Sequence, residues 1–169
     1  MGHKFLFTCA FLLAVAAINP PARAETTHDY RFAAALQALL TVGARYRYGG
    51  ASPDTGFDCS GLVAHVYEHA WGLALPRRTE EQRHVGRPVK RKDLQPGDLV
   101  FYNTRNRPYS HVGIYLGDGN FVHAPRPGYR VRVESIDSPY WRVRFNGARR
   151  LDPPPEQLVR RPREGGDPV

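Results

Sequence analysis

Cysteine is scarce in this chain: Cys9 and Cys59 are the only two, so no framework of internal disulfides is available to hold a fold together. Apolar runs long enough to cross a bilayer are also missing. The longest, Phe5 to Ile18, has about fourteen residues and falls short of the roughly 20 that a spanning helix needs. Acidic residues are outnumbered, 16 against 24 Lys and Arg, a balance that points to anionic partners. No internal repeat is visible. What is present is length enough, at 169 residues, for one domain with a hydrophobic core. Sixteen glycines and fifteen prolines favour loops and turns over a helical bundle.

The first residues read as an export signal. Lys4 supplies the positive start, Phe5 to Ile18 the apolar stretch and Ala22-Arg23-Ala24 a small-x-small cleavage site, with cutting expected after Ala24. A lipoprotein site at Cys9 fits poorly, because that cysteine lies inside the apolar run. The expected organisation is a signal peptide over 1–24, one domain over 25–151 and a disordered tail over 152–169, with a periplasmic or secreted location. The tail opens on Asp152-Pro153-Pro154-Pro155 and has too few apolar residues to fold. Lys4 and Arg23 leave with the signal, so 22 bases face 16 acids, a net of +6; residues 25–151 alone carry 19 and 12, a net of +7. Export makes the polyanionic cell envelope a better match for that charge than nucleic acid. Cleavage also leaves Cys59 alone, either inert, intermolecularly linked or reactive, and the count by itself decides nothing.

Periodicity gives the element types. Phe32, Ala35, Leu36 and Leu39 recur at helical spacing within Tyr30–Val42, with Asp29 available as N-cap and Gly43 beyond the end. This helix is expected to pack across the next one through that face. Gly49, Gly50, Pro53 and Gly56 mark an irregular loop, after which Asp58 can cap a helix that starts at Cys59. Leu62, Val63, Val66 and Ala70 lie within about 60° of Cys59 on the helical wheel, so the thiol rides at the end of the core-facing stripe. A thiol in a first helical turn meets unpaired N–H groups and the positive end of the macrodipole, a setting that lowers its pKa. Thr79 and Gln82 have capping-box spacing. From Asp98 the period becomes two: strands are expected at Asp98–Tyr102, His111–Leu116 and Phe121–His123, with a hairpin turn at Gly117–Asn120 and further strands near Arg130–Glu134 and Arg142–Asn146. Helices followed by consecutive antiparallel strands describe an α+β fold.

His111 begins one arm of the hairpin and His123 ends the other, so chain reversal brings them together. If the sheet packs on the Cys59 helix, one imidazole can meet the thiol while the other orients the first: nucleophile, base and orienter. Taken singly, each histidine is more often structural or on the surface. Their joint placement opposite a lone cysteine at a helix start weakens that bland account.

The segments Tyr46-Arg47-Tyr48-Gly49-Gly50, Phe57-Asp58-Cys59-Ser60-Gly61-Leu62-Val63, Leu75-Pro76-Arg77, Leu94-x-Pro96-Gly97-Asp98-Leu99-Val100-Phe101, His111-Val112-Gly113-Ile114-Tyr115 and Phe121-Val122-His123-Ala124 together resemble the NlpC family of papain-like cell-wall peptidases. Similarity spans nearly all of Tyr30–Leu151. The resemblance implies a papain-like α+β fold, N-terminal helices against an antiparallel sheet, and hydrolysis of peptide bonds in peptidoglycan stem peptides or their cross-links, without metal or cofactor. It implies Cys59 as nucleophile, His111 as general base and then acid, His123 as the residue orienting His111, and Tyr46 pointing into the site to assist the oxyanion or fix the thiolate. The backbone N–H of Cys59 is the other natural oxyanion donor.

Asp58, Ser60 and Arg77 are candidate substrate contacts, against the plainer roles of cap, first-turn filler and solvated cation. His65-Val66-Tyr67-Glu68-His69 has the spacing of an inverted zinc-peptidase motif, but both histidines fall on the polar flank of their helix and short motifs match often by chance. A wall-binding module that has the fold without turnover is the competing class. The expected partners are peptidoglycan stem peptides and an envelope adaptor protein, with no nucleic acid and no membrane span.

Overall fold

Alternating apolar residues in the second half of the chain build a six-stranded antiparallel sheet whose two faces are covered by different parts of the molecule. The computed structural model describes residues 22–152, with side chains from residue 30 onward. The apolar run Phe5–Ile18, Cys9 and the tail from Pro153 lie outside the described residues. In chain order the elements are α1 (Ala22–Leu40), β1 (Ala51–Ser52), β2 (Gly56–Phe57), α2 (Cys59–Trp71), α3 (Thr79–Gln82), β3 (Arg87–Val89), β4 (Leu99–Tyr102), β5 (His111–Gly117), β6 (Asn120–His123), β7 (Arg132–Ser135), α4 (Pro139–Arg142) and β8 (Phe145–Arg150), with a 3-10 turn at Arg91–Asp93. The sheet runs β3-β8-β4-β5-β6-β7, and every pairing is antiparallel.

One face of the sheet packs on the helices. Leu99 and Phe101 of β4, Val112 and Ile114 of β5 and Val122 of β6 meet Leu62, Val63, Val66, Tyr67 and Trp71 of α2 in a single buried cluster. Full burial of each Leu or Val contributes about 1.5–3 kcal/mol, so this stripe holds α2 to the sheet. The opposite face carries Val100, Tyr102, Tyr115, Phe121 and Ala148 and is closed by Ile136 and Trp141. Trp141 lies on the short α4, which has Pro139 in its first turn.

α1 packs on α2 through a different face from the one its large apolar residues define. Ala34, Ala35 and Ala38 are buried, whereas Phe32, Leu36 and Leu39 are 59%, 50% and 45% exposed. Alanine at the contact lets two helix axes approach closely, and the bulky residues turn outward as a consequence. α1 already begins at Ala22, so Asp29 is inside the helix and not at its start; the cleavage point expected after Ala24 falls in its first turn.

Candidate active site

α2 begins where Asp58 stops the preceding extended chain. The Asp58 backbone is extended at φ −91° and ψ 177°, and its Oδ1 accepts from the Gly61 N–H at 2.7 Å. Oδ2 accepts from the Gly49 N–H at 2.9 Å, which ties the glycine-rich loop to the cap. At Gly61 an added Cβ would collide with the Gly50 carbonyl oxygen, so only glycine lets this loop lie against the first turn of α2. Arg77 completes the ring. It donates to Asp58 Oδ1 at 2.9 Å, to Asp58 Oδ2 at 2.8 Å, to Ser60 Oγ at 3.0 Å and to the Gly50 carbonyl at 3.2 Å. Asp58, Ser60 and Arg77 thus form one bonded wall beside Cys59.

Cys59 is half-buried in that first turn. Its Sγ lies 3.8 Å from the Thr79 Oγ1, its side-chain hydrogen-bond partner among the described residues. The thiol also sits against the backbone N–H groups of Ser60 and Val112. Val112 follows His111 directly, so the thiol is held beside the start of β5. Burial pushes the thiol pKa above its ordinary value and the Asp58 charge adds to that, while Thr79 and the two N–H groups pull the other way. The lowering expected from a helix start is therefore outweighed: desolvation exceeds the pull of the helix end, and Cys59 rests as a neutral thiol.

The histidine pair lies on the sheet face opposite the one that packs α2. Val112 and Ile114 point toward α2, whereas His111 turns to the Trp141 side and does not line the cleft that holds Cys59; the backbone of Val112, the next residue, is what joins β5 to the thiol. His111 Nε2 and His123 Nδ1 are 2.8 Å apart, with the rings at 89°. Both are buried. Trp141 stacks on His111, with centroids 5.6 Å apart at 21°, and meets His123 edge-on at 5.0 Å. Burial, then the neighbouring His123 and Arg105, hold the His111 pKa well below its ordinary value; burial also lowers that of His123, against the pull of Glu134. Both imidazoles are neutral at pH 7, the state a general base requires.

Two residues join this site that the sequence patterns assigned elsewhere. Glu134, on β7, shares a sheet face with His123 because Arg132 pairs with His123 and Glu134 with Phe121. Its Oε1 is 3.6 Å from His123 Nε2, and it also receives the Trp141 Nε1–H and the Arg132 guanidinium. The His123 ring 3.6 Å away, then the Trp141 N–H and the Arg132 charge, hold the Glu134 carboxyl at about 2, so it is ionised. The available signal was an acid on the strand after His123 in diagonal register. Thr79 is the other. Its hydroxyl faces Cys59 instead of capping α3, and Gln82 is buried, donating to the Ser60 carbonyl at 3.0 Å and the Pro76 carbonyl at 2.8 Å. The expected capping box does not form because both side chains serve the floor of the site.

A cleft of about 560 Å3 opens over Cys59. Tyr46, Asp58, Ser60, Arg77 and Thr79 line it, with Arg78, Arg105 and Arg107 around the mouth and Glu80 bonded to Arg107 at 2.8 Å. Tyr46 is placed by backbone bonds from its N–H to the Tyr129 carbonyl and by a bridge to Phe57. Burial comes first in raising its pKa, followed by the ionisable Cys59 thiol, which would be negative at the pH where a phenol titrates, and the Asp58 carboxylate, so the phenol stays protonated as a donor. His65 and His69 do not line the cleft. Their rings stack at 3.9 Å, His69 Nδ1 bonds to the His65 carbonyl, and no group of three or more metal-ligating side chains forms among the described residues.

A sequence profile of the NlpC/P60 family matches residues 43–150. The chain belongs to the NlpC/P60 family. Murein DD-endopeptidase MepH of Escherichia coli K12 is 42% identical over 119 residues, which cover 69% of this chain and 44% of MepH. Murein DD-endopeptidase MepS/Murein LD-carboxypeptidase of the same organism is 45% identical over 109 residues, 64% of this chain and 56% of that protein. The chain thus spans about half the length of these curated relatives. Among solved structures, the NlpC/p60 domain of the peptidoglycan hydrolase SagA superposes with a TM-score of 0.63 at 33% identity, over 72% of this chain and 98% of that one. The peptidoglycan hydrolase RipB of Mycobacterium tuberculosis gives 0.61 at 28%, over 79% and 69%. The NlpC/P60 match takes in α2, the cleft and the whole sheet.

Proposed function

We propose that this NlpC/P60 domain is a cysteine endopeptidase that hydrolyses peptide bonds in peptidoglycan stem peptides or their cross-links. The observation that carries the proposal is Cys59 at the floor of an arginine-rimmed cleft, held by the Val112 backbone beside a buried His111–His123 pair. The names of the related murein endopeptidases support the substrate class. His111 takes the proton from the thiol as the sulfur attacks the scissile carbonyl carbon. The oxyanion that forms is met by the Tyr46 hydroxyl and the Cys59 N–H, one of the first-turn amides that lack an intrahelical acceptor. Collapse expels the amine, which leaves with the proton from His111, and a thioester remains. Water, deprotonated by His111, attacks the thioester, and release of the acid restores the thiol. His123 orients His111 throughout.

Substrate enters over the wall of Asp58, Ser60 and Arg77. The guanidinium of Arg77 is engaged with Asp58, so the pair presents a polar edge to the peptide while Arg78, Arg105 and Arg107 supply positive charge for its carboxylates. The function places the domain in the cell envelope, reached by the export signal, with an adaptor directing it to the wall; among the described residues no helix is long and apolar enough to cross a membrane. Incubation of the mature protein with purified peptidoglycan, followed by mass spectrometry of the released muropeptides, tests the assignment and identifies the bond. Wild type is expected to release peptides and Cys59→Ala to release none while keeping the wild-type melting temperature. Equal digestion by Cys59→Ala would sink the mechanism, and retention on the wall without release by wild type would make the domain a binding module.

A further inference from the structure

We propose that Glu134 sets the tautomers of both histidines and thereby makes His111 a base on the ring nitrogen directed away from His123. This rests on the assignment of His111 as general base to Cys59. A single proton lies between His111 Nε2 and His123 Nδ1, 2.8 Å apart, and it can belong to either ring. If His111 holds it, His111 Nδ1 carries a lone pair and can accept the thiol proton. If His123 holds it, His111 must be protonated on Nδ1 and has no lone pair to offer.

The choice is made at the far end of His123. Its Nε2 is buried and has no hydrogen-bond partner within ordinary reach; the Glu134 carboxylate at 3.6 Å faces it. A carboxylate accepts and never donates, so it favours Nε2–H on His123 and repels a bare Nε2 lone pair at that distance. Nε2–H on neutral His123 leaves Nδ1 as acceptor, which requires His111 to donate from its own Nε2. Each step is forced by the one before it, from an acid on β7 to the lone pair on His111. Arg132 and the Trp141 indole N–H bond to the same carboxylate and, being donors only, hold it ionised without satisfying His123 in its place. Trp141 also lies against both imidazole rings, so one side chain fixes the spacing of all three groups. Glu134 does not line the cleft; it is a positioning residue that acts through His123.

Ring nitrogen shifts from 15N-labelled protein at pH 7.5 read the tautomers directly. Wild type is expected to show Nε2–H on both His111 and His123. Glu134→Ala and Glu134→Leu remove the acceptor, one with loss of bulk and one without, and are expected to move the ring shifts of both histidines toward the Nδ1–H form. Release of wall peptides should fall in kcat by roughly 100-fold with KM little changed, the scale of losing a correctly protonated base. Nδ1–H on His111 in wild type would overturn the proposal, as would unmoved ring shifts in whichever variants fold, even if activity fell. So would moved shifts with an unchanged kcat. A wild-type protein that cleaves no wall peptide would instead remove the endopeptidase assignment, and the ring shifts would still decide whether Glu134 sets the tautomers.

Discussion

Opposing influences meet at the Cys59 sulfur. The helix start, the Thr79 hydroxyl and the Val112 N–H favour a thiolate; burial and the Asp58 carboxylate favour the thiol and prevail. In the proposed mechanism, with His111 neutral as well, proton transfer accompanies attack and does not precede it as a stored ion pair. Alkylation tests this without substrate. Only the thiolate reacts, so the rate of Cys59 modification by iodoacetamide should climb through and beyond the ordinary cysteine value of 9.0, with no plateau at neutral or acid pH. Thr79→Val removes a hydrogen bond that favours the thiolate and should slow the reaction further at pH 8. A rate already constant between pH 5 and 7 would show a resting thiolate–imidazolium pair and refute the neutral assignment.

At the scale of elements, hydrophobic period identified the α2 stripe, β4 and the two arms of the β5–β6 hairpin, and so located Cys59, His111 and His123. It located α1 as a helix and Ala35 on its buried side, but turned the three large residues of the pattern the wrong way. Phe32, Leu36 and Leu39 satisfy the amphipathic pattern as well as a buried stripe does; what buries Ala34 and Ala38 instead is the closeness of α2, a tertiary fact with no local signature. β8 was misplaced: arginine alternating with Val143 and Phe145 pointed to a strand at Arg142–Asn146, whereas Arg142 ends α4 and the strand runs Phe145–Arg150. There Arg150 is buried because Asp98 receives it at 2.7 Å through both carboxylate oxygens. Glu134 joined the site through register, which a strand's own residues do not specify. The α1 contact makes a paired prediction. Ala34→Leu should destabilise the domain by about 1–3 kcal/mol through overpacking, seen as a drop in denaturation midpoint. Leu36→Gln, on the outward face, should change stability by less than about 0.5 kcal/mol. The reverse order would mean that α1 packs through its large residues.

For the whole molecule, two buried neutral histidines and one ionised acid dictate how stability responds to pH. The folded-state pKa values of His111 and His123 lie below the ordinary 6.5, so below that pH the unfolded chain binds protons that the folded chain refuses. Stability is therefore intact above about pH 6.5 and falls as pH drops, by up to about 1.4 kcal/mol per pH unit for each histidine that stays neutral in the fold. Glu134 acts lower down. Its folded value of about 2 lies below the ordinary 4.5, so its contribution is present above 4.5 and is lost as pH falls from there toward 2. Net positive charge works in the same direction, because protonation adds to a chain already at +8. Chemical denaturation at intervals from pH 8 to 4 should give a level midpoint down to about 6.5 and a steady decline beneath it. His111→Gln removes one of the two titrating rings and should flatten the slope between pH 6.5 and 5 by about half. A midpoint that stays level to pH 5 in the wild-type protein would mean that the imidazoles protonate freely in the fold, and the neutral assignment of the pair would fail.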